Sequence, residues 1–142
     1  EDMLVYEIDS IDNLKDAFIP KLIIQPIVEN AIFHGIEAKN EMGIIVISSE
    51  IQNERLIISI SDDGAGMNED TLERVIDTCT NKEYTRNESI GIANVSGRIK
   101  VDFGNEYGLH IESEAGIGTT VTIELPIIDK KLRTINDENF DC

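Results

Sequence analysis

Apolar positions along the chain follow two periods, and the switches between them divide it into elements. "MLVYEID" alternates like a short strand, and the polar "SIDNLKDAF" behind it reads as a connection or a short helical turn. A helix is predicted from Pro20 through about Phe33, with Pro20 suited to an early turn and Gly35 standing where a stop is expected. Pro26 inside it predicts a kink or a restart. "GIIVISSEI" and "RLIISISDD" are rich in β-branched residues and flank "QNE", which predicts a hairpin. From Asn68, a suitable N-cap, to about Thr78, the spacing of Leu72, Val75 and Ile76 predicts a second helix. Ile92, Val95, Ile99 and Phe103 predict a third, from Ile90 to about Phe103. Between these two, "TNKEYTRNES" has no usable periodicity and is expected to be a mobile loop. "GLHIESE" and "TTVTIELPI", joined by "AGIG", close the pattern as two strands, and the polar tail from Asp129 is expected to be poorly ordered.

Composition narrows what these elements build. A chain of 142 residues with 41% hydrophobic content suits one domain with its own core. Its 28 acidic and 12 basic residues leave a net charge of −16 with no dense Lys/Arg cluster, which disfavours nonspecific binding to nucleic acid or anionic membrane. An anionic ligand would therefore need backbone N–H groups, a helix N-terminus or a bridging cation. Cys79 and Cys142 have no metal-ligand spacing and imply no disulfide framework, so a reducing compartment is the simplest expectation. No apolar run approaches the roughly 20 residues of a membrane helix. The start at Glu1 and the polar close, "TINDENFDC", suggest a segment of a longer chain.

Candidate chemistry is concentrated in four stretches. On the helix through "QPIVENAIFHG", Ile24, Ile27, Val28, Ala31 and Ile32 share one arc, while Glu29, Asn30, Phe33 and His34 fill the other. That second arc is either a solvent face or a site, and Asn with Glu supplies hard oxygen donors of the kind Mg²⁺ accepts. "SDDGAGM" follows directly on a strand. Its glycines permit a sharp turn or close backbone approach, and an ionised Asp62 at a buried strand end needs a donor such as an exocyclic amine. "ESIGIANVSGRIK" sets Gly91 at a helix start, where backbone N–H groups can hold phosphate oxygens. "GIGTTVTIELP" carries little information alone, because Gly-containing hairpin turns are abundant.

Taken in order, "VENAIFHG", "DDGAG", "SIGIANV" and "GIGTTVTIELP" resemble the N, G1, G2 and G3 boxes of the GHKL ATPase superfamily, over about Leu4 to Ile127. "IPKLIIQPIVENAIFHGI" and the later "IGIANVSGRI" look most like the catalytic domains of LytS/YesM-type sensor histidine kinases. The resemblance implies an α/β Bergerat fold: a two-layer sandwich whose mixed, mainly antiparallel sheet is covered on one face by helices, with a flexible ATP lid. It implies a catalytic domain over residues 1–128, a lid at about 68–90 and a tail over 129–142. By the same resemblance Asn30 coordinates Mg²⁺ bridging the phosphates of ATP, and Glu29 orients or deprotonates the attacking group. Asp62 accepts the adenine amino hydrogen, Gly64 and Gly66 make room for the base, and Thr119 supports the adenine side. Gly91, Ile92 and Asn94 belong to the phosphate-binding turn, with His34 near the phosphates. Two departures stand out: Ser89 replaces a usual glycine, and Phe33 replaces a common Lys, for which Lys82 or Arg86 are candidate substitutes.

The implied activity is transfer of the γ-phosphoryl group of Mg-ATP to a His on a separate dimerisation domain, within a two-component system. His34 belongs to the nucleotide motif and His110 lies in a strand, so the acceptor is expected elsewhere. The implied partners are the chain's own phospho-acceptor domain and a response regulator, with no nucleic acid. The implied location is a cytoplasmic domain of a membrane-bound homodimeric parent. Alternatives on the same fold are a hydrolytic ATPase clamp, whose transducer domain has no counterpart here, and a serine kinase that restrains a sigma factor. A P-loop is excluded, since no G-x-x-x-x-G-K-[ST] occurs.

Overall fold

The β-branched runs form one mixed sheet in the computed structural model, which describes residues 4–10, 19–20, 22–80 and 90–128. Its strands are β1 (Leu4–Ser10), β2 (Gly43–Gln52), β3 (Arg55–Asp62), β4 (Gly108–Glu114) and β5 (Gly118–Pro126), in the spatial order β1-β2-β3-β5-β4. Among the described strand pairs only β1–β2 is parallel. The β2–β3 hairpin turns on Asn53 and Glu54, both at positive φ (52° and 61°), as a right-twisted two-residue hairpin requires.

Strict alternation decides which face carries the core. Leu56, Ile58 and Ile60 of β3 and Val121, Ile123 and Leu125 of β5 are buried on one side. Ser59, Ser61, Thr120 and Thr122 between them point to the other, which no helix among the described residues covers. Helices lie on the apolar face: α1 (Ile24–Asn30), a π-helical segment (Ala31–Ile36) continuing into α2 (Glu37–Lys39), then α3 (Glu69–Thr80) and α4 (Ile90–Phe103). Ile23, Ile27 and Ala31 of the first helical run, and Ile92, Val95 and Ile99 of α4, complete the core. Each fully buried Ile or Leu contributes about 1.5–3 kcal/mol relative to exposure.

The first helix departs from expectation in two places. Pro26 causes neither kink nor restart, because the helix begins only at Ile24 and Pro26 falls in its first turn, where its missing N–H has no partner to lose. Gly35 is not the stop. The helix widens into a π turn, runs through Gly35, and ends at Asn40, whose left-handed backbone (φ 56°) lets its N–H return to the Glu37 carbonyl. Buried positions Ile23, Ile27, Ala31 and Gly35 recur every four residues, wider than the 3.6 of an α-helix, and the π turn absorbs the difference.

Asn68 caps α3 as expected, its side chain accepting from Thr71 N–H at 2.9 Å. Leu72, Val75 and Cys79 pack that helix against the core. The connection Ser10–Phe18 extends beyond residue 10, and the loop 81–89 with Lys82, Arg86 and Ser89, and the tail 129–142, lie outside the described residues.

Candidate functional site

Register fixes the first half of the site. Asp62 ends β3 on the helix-facing side, directly opposite Thr119 of β5, which follows Gly118. Burial pushes the Asp62 carboxyl above its ordinary value of 3.8, partly offset by hydrogen bonds from the Gly64 and Thr119 backbone N–H groups. The Gly64 N–H donates to Asp62 Oδ1 at 2.9 Å. On the next residue, Asp63 Oδ1 accepts from Ile44 N–H at 2.7 Å, and its carbonyl accepts from Lys39 Nζ at 3.0 Å. Asp62 is thus held through its neighbour, which is pinned to β2 and α2.

Glycines bring the π segment onto this strand end. A methyl group at Gly35 would sit 2.7 Å from Asp62 Oδ1, and one at Gly64 would overlap the Gly35 backbone, whose carbonyl accepts from Ala65 N–H at 3.0 Å. Gly66 has φ 64°, and its α-carbon abuts the Glu114 carbonyl. The space freed at Gly64 and Gly66 is therefore filled by protein backbone, not open to a ligand. Their role is to let the loop after β3 close onto the helix and onto β4.

Two clefts open beside this junction. The larger, about 310 Å³, lies at the strand ends and takes residues from both faces of the sheet, Asp62, Ser113 and Thr119 from the helix-facing side and Ser61, Glu112 and Thr120 from the other. In the smaller, about 170 Å³, Pro26, Glu29, Asn30, Phe33, His34 and Gly91 face one another. Gln25 Nε2 donates to Glu29 Oε1 at 2.9 Å, which orients that carboxylate along the helix. Gly91 sits at the second residue of α4, and the nearest atom to a methyl there would be Pro26 Cβ at 3.8 Å, ordinary contact. Packing therefore does not require glycine at 91, in contrast to Gly35 and Gly64.

Glu29, Asn30, His34 and Gly91 thus come together, Asp62 and Thr119 come together, and Gly35, next to His34, touches Asp62 between them. Two residues are placed differently. Ile92 is 1% exposed, a core side chain that leaves only its backbone to a ligand, because α4 packs into the core from its first turn onward. Asn94 is exposed and lines neither cleft. Gly35, expected only as a helix stop, and Ser113, for which no role is expected, also belong to the candidate site. The available signal for Ser113 was its inward position in "GLHIESE", a hydroxyl in line with Leu109 and Ile111.

A strand-end carboxylate against a helical glycine, beside the first turn of α4, is what the α/β sandwich builds at this end of the sheet. The chain matches, over residues 16–129, the family described as histidine kinase-, DNA gyrase B-, and HSP90-like ATPase, and it belongs to that family. It is 34% identical over 126 residues to the sensor histidine kinase YesM of Bacillus subtilis, covering 89% of this chain and 20% of that protein. It is 37% identical over 123 residues to the sensor histidine kinase YpdA of Escherichia coli, covering 87% of this chain and 20% of that protein. The chain spans about a fifth of the length of these relatives. Among solved structures, the catalytic domain of the histidine kinase ThkA superposes with a TM-score of 0.64 at 19% identity, covering 90% of this chain and 82% of that one. The fold expected from the resemblance is therefore the fold observed.

Proposed function

We propose that the chain is the ATP-binding catalytic domain of a sensor histidine kinase, which binds Mg-ATP and presents the γ-phosphoryl group to a histidine on a separate helical domain. The observation that carries this is the close approach of Gly35, the neighbour of His34 in the smaller cleft, to Asp62 in the larger, which sets two unlike clefts on either side of one contact. One side offers a carboxylate acceptor and the other a row of oxygen donors beside a helix N-terminus. A nucleotide has two ends of those kinds.

Asp62 accepts the adenine amino hydrogen, and Thr119 supports it from the facing strand. Gly91 and the first-turn N–H groups of α4 hold phosphate oxygens, a device that needs no basic side chain and suits a domain of charge −16. Asn30 and Glu29 are hard oxygen donors in that cleft, which fits a Mg²⁺ ion arriving with the phosphates and keeping several waters. Among the described residues no three His, Cys, Asp or Glu side chains cluster as a protein-only metal site. Bound there, the ion supplies neutralisation of phosphate charge. Glu29 orients or deprotonates the attacking imidazole, and positioning with charge stabilisation accounts for the remaining catalysis.

His110, on the sheet face turned away from the described helices, pairs at 3.6 Å with Glu112, and His34 lines the phosphate cleft, so the acceptor is assigned to another domain. Similarity to sensor histidine kinases supports a parent with a response regulator as partner. A homodimeric parent held in the membrane, with this domain on the cytoplasmic side, completes the proposal; no described helix here is long and apolar enough to cross a bilayer. Mixing the domain with labelled ATP and the helical domain of its parent tests the reading. Acid-labile label, as phosphohistidine gives, is expected; acid-stable label would favour a serine kinase, and release of phosphate alone a hydrolytic clamp.

A further inference from the structure

The side chain of Ser113 ties the loop after β3 to the start of β5. Its Oγ accepts from Met67 N–H at 2.8 Å, donates to the Gly118 carbonyl at 3.0 Å, and lies 2.7 Å from Thr119 Oγ1. Ser113 and Thr119 are register partners on the helix-facing side of β4 and β5, and Thr119 in turn faces Asp62. A hydroxyl has one proton. With that proton committed to the Gly118 carbonyl, the 2.7 Å contact is a hydrogen bond only if Thr119 donates to Ser113. The Thr119 hydroxyl then turns lone pairs, not its hydrogen, toward the cleft it lines with Asp62.

We infer that Ser113 is a positioning residue that sets base specificity, by fixing the Thr119 hydroxyl as an acceptor so that the cleft reads an amino group and rejects a carbonyl at the six-position of a purine. The inference rests on the nucleotide reading above. An ionised Asp62 also accepts only, so the two facing side chains present acceptors alone. Removing the Ser113 hydroxyl frees the Thr119 hydrogen to turn into the cleft and donate to a carbonyl.

The test is calorimetric titration of the chain with ADP and with inosine diphosphate, which differ at that six-position group. The wild-type chain is expected to prefer ADP. Ser113→Ala should bring the ratio of the two affinities down by on the order of tenfold, the effect of one hydrogen bond gained by the wrong base. In a Thr119→Val background, which has no hydroxyl to reorient, adding Ser113→Ala should leave the ratio where it was. A stability loss in Ser113→Ala with an unchanged ratio would reduce Ser113 to a structural tie and overturn the inference, as would an equal fall in the ratio without the Thr119 hydroxyl. A wild-type chain that bound neither nucleotide would overturn the nucleotide reading itself, and the inference with it.

Discussion

Asp62 carries the cost of its own burial. Its carboxyl is raised above 3.8 by burial, so the folded state holds the proton more tightly than the unfolded state does. Stability from this group is full below 3.8 and is lost as pH rises through the raised folded value, because ionisation then favours the unfolded chain. Asp62→Asn cannot ionise. Measured by thermal melting without nucleotide, it should match the wild type in acid and exceed it at neutral pH, while calorimetry shows weaker ATP binding. Equal ATP affinity would remove Asp62 from the adenine site. Gly91 gives the complementary case. Ala there meets no close neighbour and should stabilise α4 by roughly 0.5–1 kcal/mol, yet lower nucleotide affinity on the order of tenfold if phosphate approaches that backbone. Asp62 was legible because a carboxylate at a buried strand end is conspicuous in sequence. Gly35 was not, since its purpose lies in residues 62–65, and a glycine after a helical run looks the same whether it ends the helix or makes room for another strand.

At the scale of elements, the periodic segments were legible nearly to the residue. α4 and β3 fall where the spacing places them, because burial on one face fixes both period and length. The first helix was misjudged at both ends, since proline and glycine there answer to position in the turn and to a distant strand, which local pattern does not encode. The π turn has the same origin: one extra residue per turn is invisible to a 3.6-residue template. Local strain is elsewhere. Glu54 holds φ 61° in the β2–β3 turn without the freedom of glycine, so Glu54→Gly should stabilise the domain by about 1 kcal/mol in chemical denaturation. That turn lies at the opposite end of β3 from Asp62, and nucleotide affinity should not move. Gly64→Ala should do the reverse, forcing the loop off the π segment and abolishing both the cooperative unfolding transition and binding.

The molecule as a whole is a −16 body asked to take a polyanion. Backbone dipoles act within a turn of the helix end, whereas the net charge acts over the screening length, which shrinks from about 30 Å at 0.01 M salt to about 8 Å at 0.15 M. Added salt should therefore speed the association of metal-free ATP in stopped-flow measurements; slowing would mean that an attractive local field dominates the approach.

The pairing of Asp62 with Thr119 has one more consequence. Leu56, Ile58 and Ile60 do not only fill the core; they count out the strand, since a slip of one residue would expose all three and bring Ser61 or Asp63 opposite Thr119. The hydrophobic alternation therefore works as a proofreader for the site. A chain that misaligns β3 cannot survive as a stable but silent protein, because the error that displaces the carboxylate also unmakes the fold, so any molecule that persists folded has its acceptor in place.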